Sequence, residues 1–190
     1  VPLAASGAEP VVAAEVKTAA DAPRIKIESS HLEGTISLLG GRFDELKLKQ
    51  YRQTLDAESD IVSLLKPTSA ENAYYALYGW APGGGLAPDL VPGPNTIWTL
   101  ESGDILTPST PVVLAWENGE GLTFRREISL DENYMFNVKQ SVVNNSGQTA
   151  TFSPFGLISK TETIEDKAPL GVMHTGPIGV FDGVLEEVDY

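Results

Sequence analysis

The sequence predicts an all-β chain folded as an antiparallel β-sandwich, and three observations carry that prediction. Apolar residues alternate with polar ones through Arg24–Tyr51: first Ile25 and Ile27, then Leu32, Ile36 and Leu38, then Phe43, Leu46 and Leu48 after Gly40-Gly41. Period-2 runs broken by Gly-Gly describe strands with one buried face joined by a tight turn. The same idiom recurs at short intervals downstream, and helical periodicity is scarce, which favours a sandwich or barrel.

Residues 1–23, rich in Ala, Val, Pro and Glu, show no period and read as a flexible linker. Strands are expected over 24–30, 32–39, 42–50, 61–65 and 73–80. Ala81–Pro94, with three consecutive glycines and four prolines, is expected as a long loop, because neither residue type suits a sheet interior. It lacks the pattern of a phosphate-binding loop. Further strands are expected over 96–100, 111–117, 122–131, 133–145, 149–160 and 171–181. Asn118–Gly121, Asp131–Asn133 and Asn144–Gly147 supply the turns between four of these. Ile36, Leu38, Phe43, Leu46, Leu48, Phe124, Ile128, Phe136 and Val138 are the expected core.

Composition narrows the function classes. The 13 basic and 26 acidic side chains give a net charge of −13. No basic stripe is present for a nucleic acid, and nothing in the charge favours adsorption to anionic lipid. Without cysteine there is no disulfide framework and no thiolate metal site. No apolar run reaches the length of a membrane span.

Catalytic groups are sparse. His31 adjoins Ser29 and Ser30, but neighbours on a strand point to opposite faces, and no G-x-S-x-G elbow is present. His174 with Glu162 or Glu165 is the alternative acid–base pair, of the kind sugar mutarotation needs. The acidic clusters Glu162, Glu165, Asp166 and Asp182, Glu186, Glu187, Asp189 lack the spacing of a calcium loop. Trp80, Trp98 and Trp116 suit either a core or a stacking platform, and the core is the commoner use of tryptophan in sheets. No catalytic, metal or cofactor residue is therefore assigned.

Two blocks carry a family resemblance. Leu32–Tyr51 reads L-x-G-x-I-x-x-x-G-G-x-F-x-x-L-x-L-x-x-Y. Leu122–Lys160 follows with Thr123-Phe124-Arg125-Arg126, then Tyr134 to Val138, Val143-Asn144-Asn145 and Ser153-Pro154-Phe155-Gly156-Leu157. In this order the motifs resemble the large periplasmic domain of YidC-type membrane protein insertases, over roughly residues 24–190. The resemblance implies a β-supersandwich like that of galactose mutarotases, tethered by membrane segments outside the chain at the periplasmic face of the bacterial inner membrane. It implies a non-catalytic role in insertion and folding of inner-membrane proteins, without cofactor. The implied partners are the insertase's own membrane region, the Sec components SecYEG and SecDF, and nascent membrane proteins. In that family the domain runs on past the position of Tyr190, so an unfinished sheet edge is expected near Val172–Val184. The alternatives are a carbohydrate-binding or mutarotase-like sandwich, and a chaperone-like module that holds extended peptide by strand addition.

Overall fold

The computed structural model describes residues 22–161 and 176–188. Its regular structure is almost entirely strand. β1 (Arg24–Glu28), β2 (Leu32–Ser37), β3 (Arg42–Arg52), β4 (Ile61–Leu65), β5 (Tyr74–Gly83), β7 (Ile105–Leu106) and β11 (Thr151–Lys160) form a seven-stranded sheet in the order β11-β5-β3-β2-β1-β7, with β4 also paired to β3. β6 (Thr99–Ser102), β8 (Val112–Glu117), β9 (Leu122–Leu130) and β10 (Phe136–Asn144) form a second sheet in the order β10-β9-β8-β6. Among the described residues, β12 (Ile178–Phe181) and β13 (Val184–Glu187) pair only with each other. The expected all-β sandwich is what the chain forms, with one parallel pairing, β1 to β7, in an otherwise antiparallel set.

The alternation in the sequence explains the layers. β9 buries Leu122, Phe124, Arg126, Ile128 and Leu130 and turns the residues between them outward. The core joins Ile25, Ile27, Leu32, Ile36, Phe43 and Leu46 of the large sheet to Val112, Leu114, Phe124 and Ile128 of the small one. Trp98, in the segment before β6, fills the space between. Of the expected core, Ile36, Leu38, Phe43, Leu46, Phe124 and Ile128 are buried, while Leu48, Phe136 and Val138 are half-buried against it.

Turns fall where their chemistry placed them. Gly40 and Gly41, both at positive φ, close the β2–β3 hairpin. The Asn118 side chain accepts the backbone N–H groups of Glu120 and Leu122, closing β8–β9. The Asp131 carboxylate does the same for Asn133 and Met135 before β10, so that strand starts at Phe136 rather than 133. Two corrections concern the 81–94 loop. Pro82 and Gly83 belong to β5, paired to Phe152 and Thr151. Proline is tolerated because this end of β5 pairs on one side only, with β11. Pro88–Leu90 forms a single 3-10 turn. The expected linker lies outside the described residues except Ala22, which is buried, and Pro23, whose carbonyl accepts the Leu38 N–H. Of the expected 171–181 strand, residues 171–175 lie outside the described residues, and Ile178–Phe181 is strand.

Phe43 anchors this arrangement through edge contacts to Tyr78 and Phe136 at 5.9 and 5.3 Å. Phe43→Ala should therefore cost about 3–5 kcal/mol in urea unfolding, the range for a buried aromatic cut back to a cavity. A loss under about half a kcal/mol would place the ring outside the core.

Candidate functional site

The groups singled out for chemistry do not converge. β1 ends at Glu28, so Ser29, Ser30 and His31 form a turn and not the end of a strand. Ser29 Oγ accepts the N–H groups of His31 and Leu32, which commits it to the turn. Ser30 Oγ and His31 Nδ1 do touch, at 3.0 Å, contrary to the opposite facing expected on a strand. Among the described residues no carboxylate bonds the imidazole, so the pair lacks the orienting acid of a triad. The ring instead meets Tyr134 at 4.8 Å. Tyr134 stands at φ 77, an unusual conformation for a bulky residue, and lies 6.3 Å from Tyr51. Desolvation, then Tyr51, raises its phenol above the ordinary value.

His174, Glu162, Glu165, Asp166 and Asp189 lie outside the described residues. Asp182, Glu186 and Glu187 sit on the exposed β12–β13 hairpin. Among the described residues no group of three His, Cys, Asp or Glu side chains is placed to hold a metal. Trp80 and Trp98 stack in the core with centroids 6.1 Å apart, and Trp116 is half-buried against Phe124. The tryptophans are core, not platform.

The interior holds a charge that sequence reasoning missed. Arg126 has 1% of its surface exposed. Its Nη1 donates to the Gly41 carbonyl at 2.8 Å, and its Nη2 donates to the Tyr78 carbonyl. The guanidinium lies over Trp98, 4.7 Å from the ring centroid. No ion pair to Arg126 is formed among the described residues. Burial lowers its pKa to about 10, which leaves it protonated at neutral pH. Its Nε and Trp98 Nε1 are buried without protein partners. The arrangement can bind carbonyls and hold two sheets together; it presents no group to solvent.

The surface is more telling. β10 and β11 are the edges of their sheets on one side of the sandwich. β10 turns Asn137, Lys139 and Ser141 outward, the polar dress that discourages edge pairing. β11 does not. Its Phe155 and Leu157 are each more than two-fifths exposed, opposite Gly79 and Leu77 in register and so on the same face. A Cβ at Gly79 would stand 2.6 Å from the Phe155 ring lying over it, so a larger residue there would displace that ring. The β12–β13 hairpin exposes more than half of Ile178, Val180, Phe181, Val184, Leu185 and Val188. Each of these two exposed apolar surfaces is a candidate contact site. The signal in the sequence was the run FGLI, Phe155–Ile158, apolar on both faces where the preceding strand alternates.

Arg126 generates a prediction on this frame. Arg126→Ala should cost about 2–4 kcal/mol, from stranded carbonyls and an interior void. Arg126→Met refills the void and removes a buried charge, so its cost should be smaller, under about 2 kcal/mol. Urea midpoints that rank alanine as the milder change would show that the cation is not what joins the sheets.

The described residues contain no helix long and apolar enough to cross a membrane. The family described as the YidC periplasmic domain matches residues 24–190. The protein named membrane protein insertase YidC from Dinoroseobacter shibae is 51% identical over 187 residues, 98% of this chain and 30% of that protein. Those of Ruegeria pomeroyi and Ruegeria sp. are 47% and 52% identical, over 97% and 84% of this chain. The chain spans less than a third of the length of these relatives.

Proposed function

Since this chain belongs to the YidC periplasmic domain family, we propose that it is the periplasmic domain of an inner-membrane insertase and that it acts by contact rather than by chemistry. The carrying observation is the unprotected apolar surface of β11 and the β12–β13 hairpin. Desolvating such surface against a protein partner is favourable by about 25 cal/mol per Å² of apolar area. The net charge of −13 opposes general adsorption to anionic lipid, which leaves protein contact as the natural use. The partners that fit are the insertase's own membrane region, SecYEG and SecDF, and emerging membrane proteins. Through them the domain assists insertion and folding without cofactor or metal.

The test is site-specific photocrosslinking in the full-length insertase in membranes. A benzoylphenylalanine at Phe155, Leu157 or Val180 should give adducts to one of these partners, and one at Lys139 on the polar edge should not. Equal labelling at all four positions would remove the surface from the proposal.

A carbohydrate reading has one feature in its favour, the partly exposed corner of His31, Tyr134 and Tyr51, with the Tyr134 hydroxyl bonded to Gln50. Mutarotation needs an acid and a base facing one sugar, and this corner offers no carboxylate hydrogen-bonded to His31 among the described residues. Aldose mutarotation by the purified chain should not exceed buffer. Turnover abolished by His31→Ala or His174→Ala would reverse the assignment.

A further inference from the structure

The chain between β5 and β6 is anchored at both ends and held loosely in between. At the near end Gly83 closes the β5–β11 pairing opposite Thr151. At the far end the Pro94 carbonyl accepts Arg42 Nη2 at 2.7 Å, and the Thr96 carbonyl accepts the Gly40 N–H at 2.7 Å. Between these anchors Leu86–Pro92 reads LAPDLVP. Its backbone bonds, from Leu86 to Gly83, Leu90 to Ala87 and Val91 to Pro88, all reach back three residues. Among the described residues a single hydrogen bond ties it to another part of the fold: Asn118 Nδ2, in the β8–β9 turn, donates to the Leu90 carbonyl at 3.2 Å. The remaining attachment is apolar. Val91 is 7% exposed within the core that holds Trp80, Trp98 and Leu122, and Leu86 is half-buried against that core. Pro92 is buried, whereas Ala87, Pro88 and Asp89 are exposed.

Glycine stands at both ends of this segment. Gly84 and Gly85 take φ of 61° and 85°, and a Cβ at Gly85 or Gly93 would meet nothing within 4 Å. Backbone at such positions turns at little steric cost. Pro88 and Pro92 stiffen the stretch between them. We propose that Leu86–Pro92 is a strap that swings out on these glycines while the sandwich stays folded, and that the slot it uncovers takes an aliphatic segment of a membrane protein. Opening gives up the burial of Leu86, Val91 and Pro92 and one hydrogen bond. That is a small part of what holds the two sheets, so the opening lies below global unfolding. The strap itself shows what the slot accepts. It fills the slot with aliphatic side chains and offers one carbonyl to the Asn118 amide. That amide is already oriented, because Asn118 Oδ1 accepts the N–H groups of Glu120 and Leu122. A segment with aliphatic side chains and a free backbone carbonyl reproduces the same contacts. The choice of occupant rests on the contact role proposed above; the opening of the strap does not.

The chain has no cysteine, so one introduced thiol reports on one position. Val91→Cys should be alkylated about a hundredfold faster than Val112→Cys, a fully buried reference in β8, with a rate that changes little in urea below the unfolding transition. Asn118→Asp keeps the acceptor oxygen of the turn and removes the donor to Leu90. Added to Val91→Cys, it should speed labelling on the order of fivefold, the worth of one hydrogen bond. Equal rates with equal urea dependence at the two positions would show that the strap opens only when the chain unfolds, and would overturn the proposal. The slot is read separately, by tryptophan fluorescence with the strap's own sequence as a capped peptide, acetyl-LAPDLVP-amide. This peptide should bind Leu86→Ser/Val91→Ser on the order of tenfold more tightly than the wild-type chain, because the variant's strap no longer competes. The same peptide with serine for each leucine and valine should not bind. Amide shifts in β8 and β9 must match wild type in the double variant; if they do not, Leu86→Ser alone takes its place. Equal binding of the two peptides, or no binding to a folded variant, overturns the slot. Crosslinking at Phe155 and Leu157 reads the contact role independently, so a strap that opens without taking the peptide counts against the slot and not against that role.

Discussion

The sandwich depends on a buried cation that binds no carboxylate among the described residues. Arg126 issues from the small sheet and gives its hydrogen bonds to the large one, at Gly41 in the β2–β3 turn and at Tyr78 in β5. A hydrophobic interface between sheets is non-directional and tolerates sliding. Two bonds from a planar fork do not. The position of the guanidinium also fixes the sequence around it. A Cβ at residue 41 would stand 2.3 Å from Nη1, so Gly41 is demanded both by its φ of 61° and by the arginine packed against it. Trp98 completes the enclosure by offering its π face to the charge.

From this fixed point the structure loosens in one direction. Around Trp98 and Phe124 the two sheets are fully apposed. Toward β10 and β11 burial declines: β10 has half-buried inner residues, and β11 exposes nearly every side chain. The two edges are treated differently. Lys139 on β10 reaches Glu127 across the strand pair, which keeps that edge polar. On β11 the residue types that usually guard an edge are confined to Pro154 and Lys160, with Phe155, Leu157 and Ile158 between them. An edge of this kind is a template on which another strand can pair.

Much of the fold was legible because period-2 patterning and turn chemistry are local. The β2–β3 and β8–β9 hairpins follow directly from Gly40-Gly41 and Asn118–Gly121. What could not be read depends on pairing between distant segments. The two residues of β7 are too short to show a period, and their parallel partner β1 lies far upstream. Arg126 stands in the same alternation as Phe124 and Ile128, but its charge disguised an inward position that parity alone would have assigned. Tyr134 reads as an ordinary strand residue, and its left-handed backbone follows from the Asp131 cap closing the turn. For the surface, the apolar run of β11 was visible, but its exposure depends on which strand, if any, lies beside it.

The charge and the apolar edge are best understood together. A domain with an unguarded strand invites pairing with its own copies, since identical edges are always available to one another. A charge of −13 on 190 residues raises the electrostatic cost of bringing two copies together, while leaving a neutral or basic partner unopposed. Selectivity then does not require a steep-walled pocket. A repulsive background would disfavour acidic surfaces, copies of the same chain included, while a local apolar face would favour a partner able to cover it. Long-range charge and short-range burial thus act on different neighbours, the first on like-charged surfaces and the second on apolar ones.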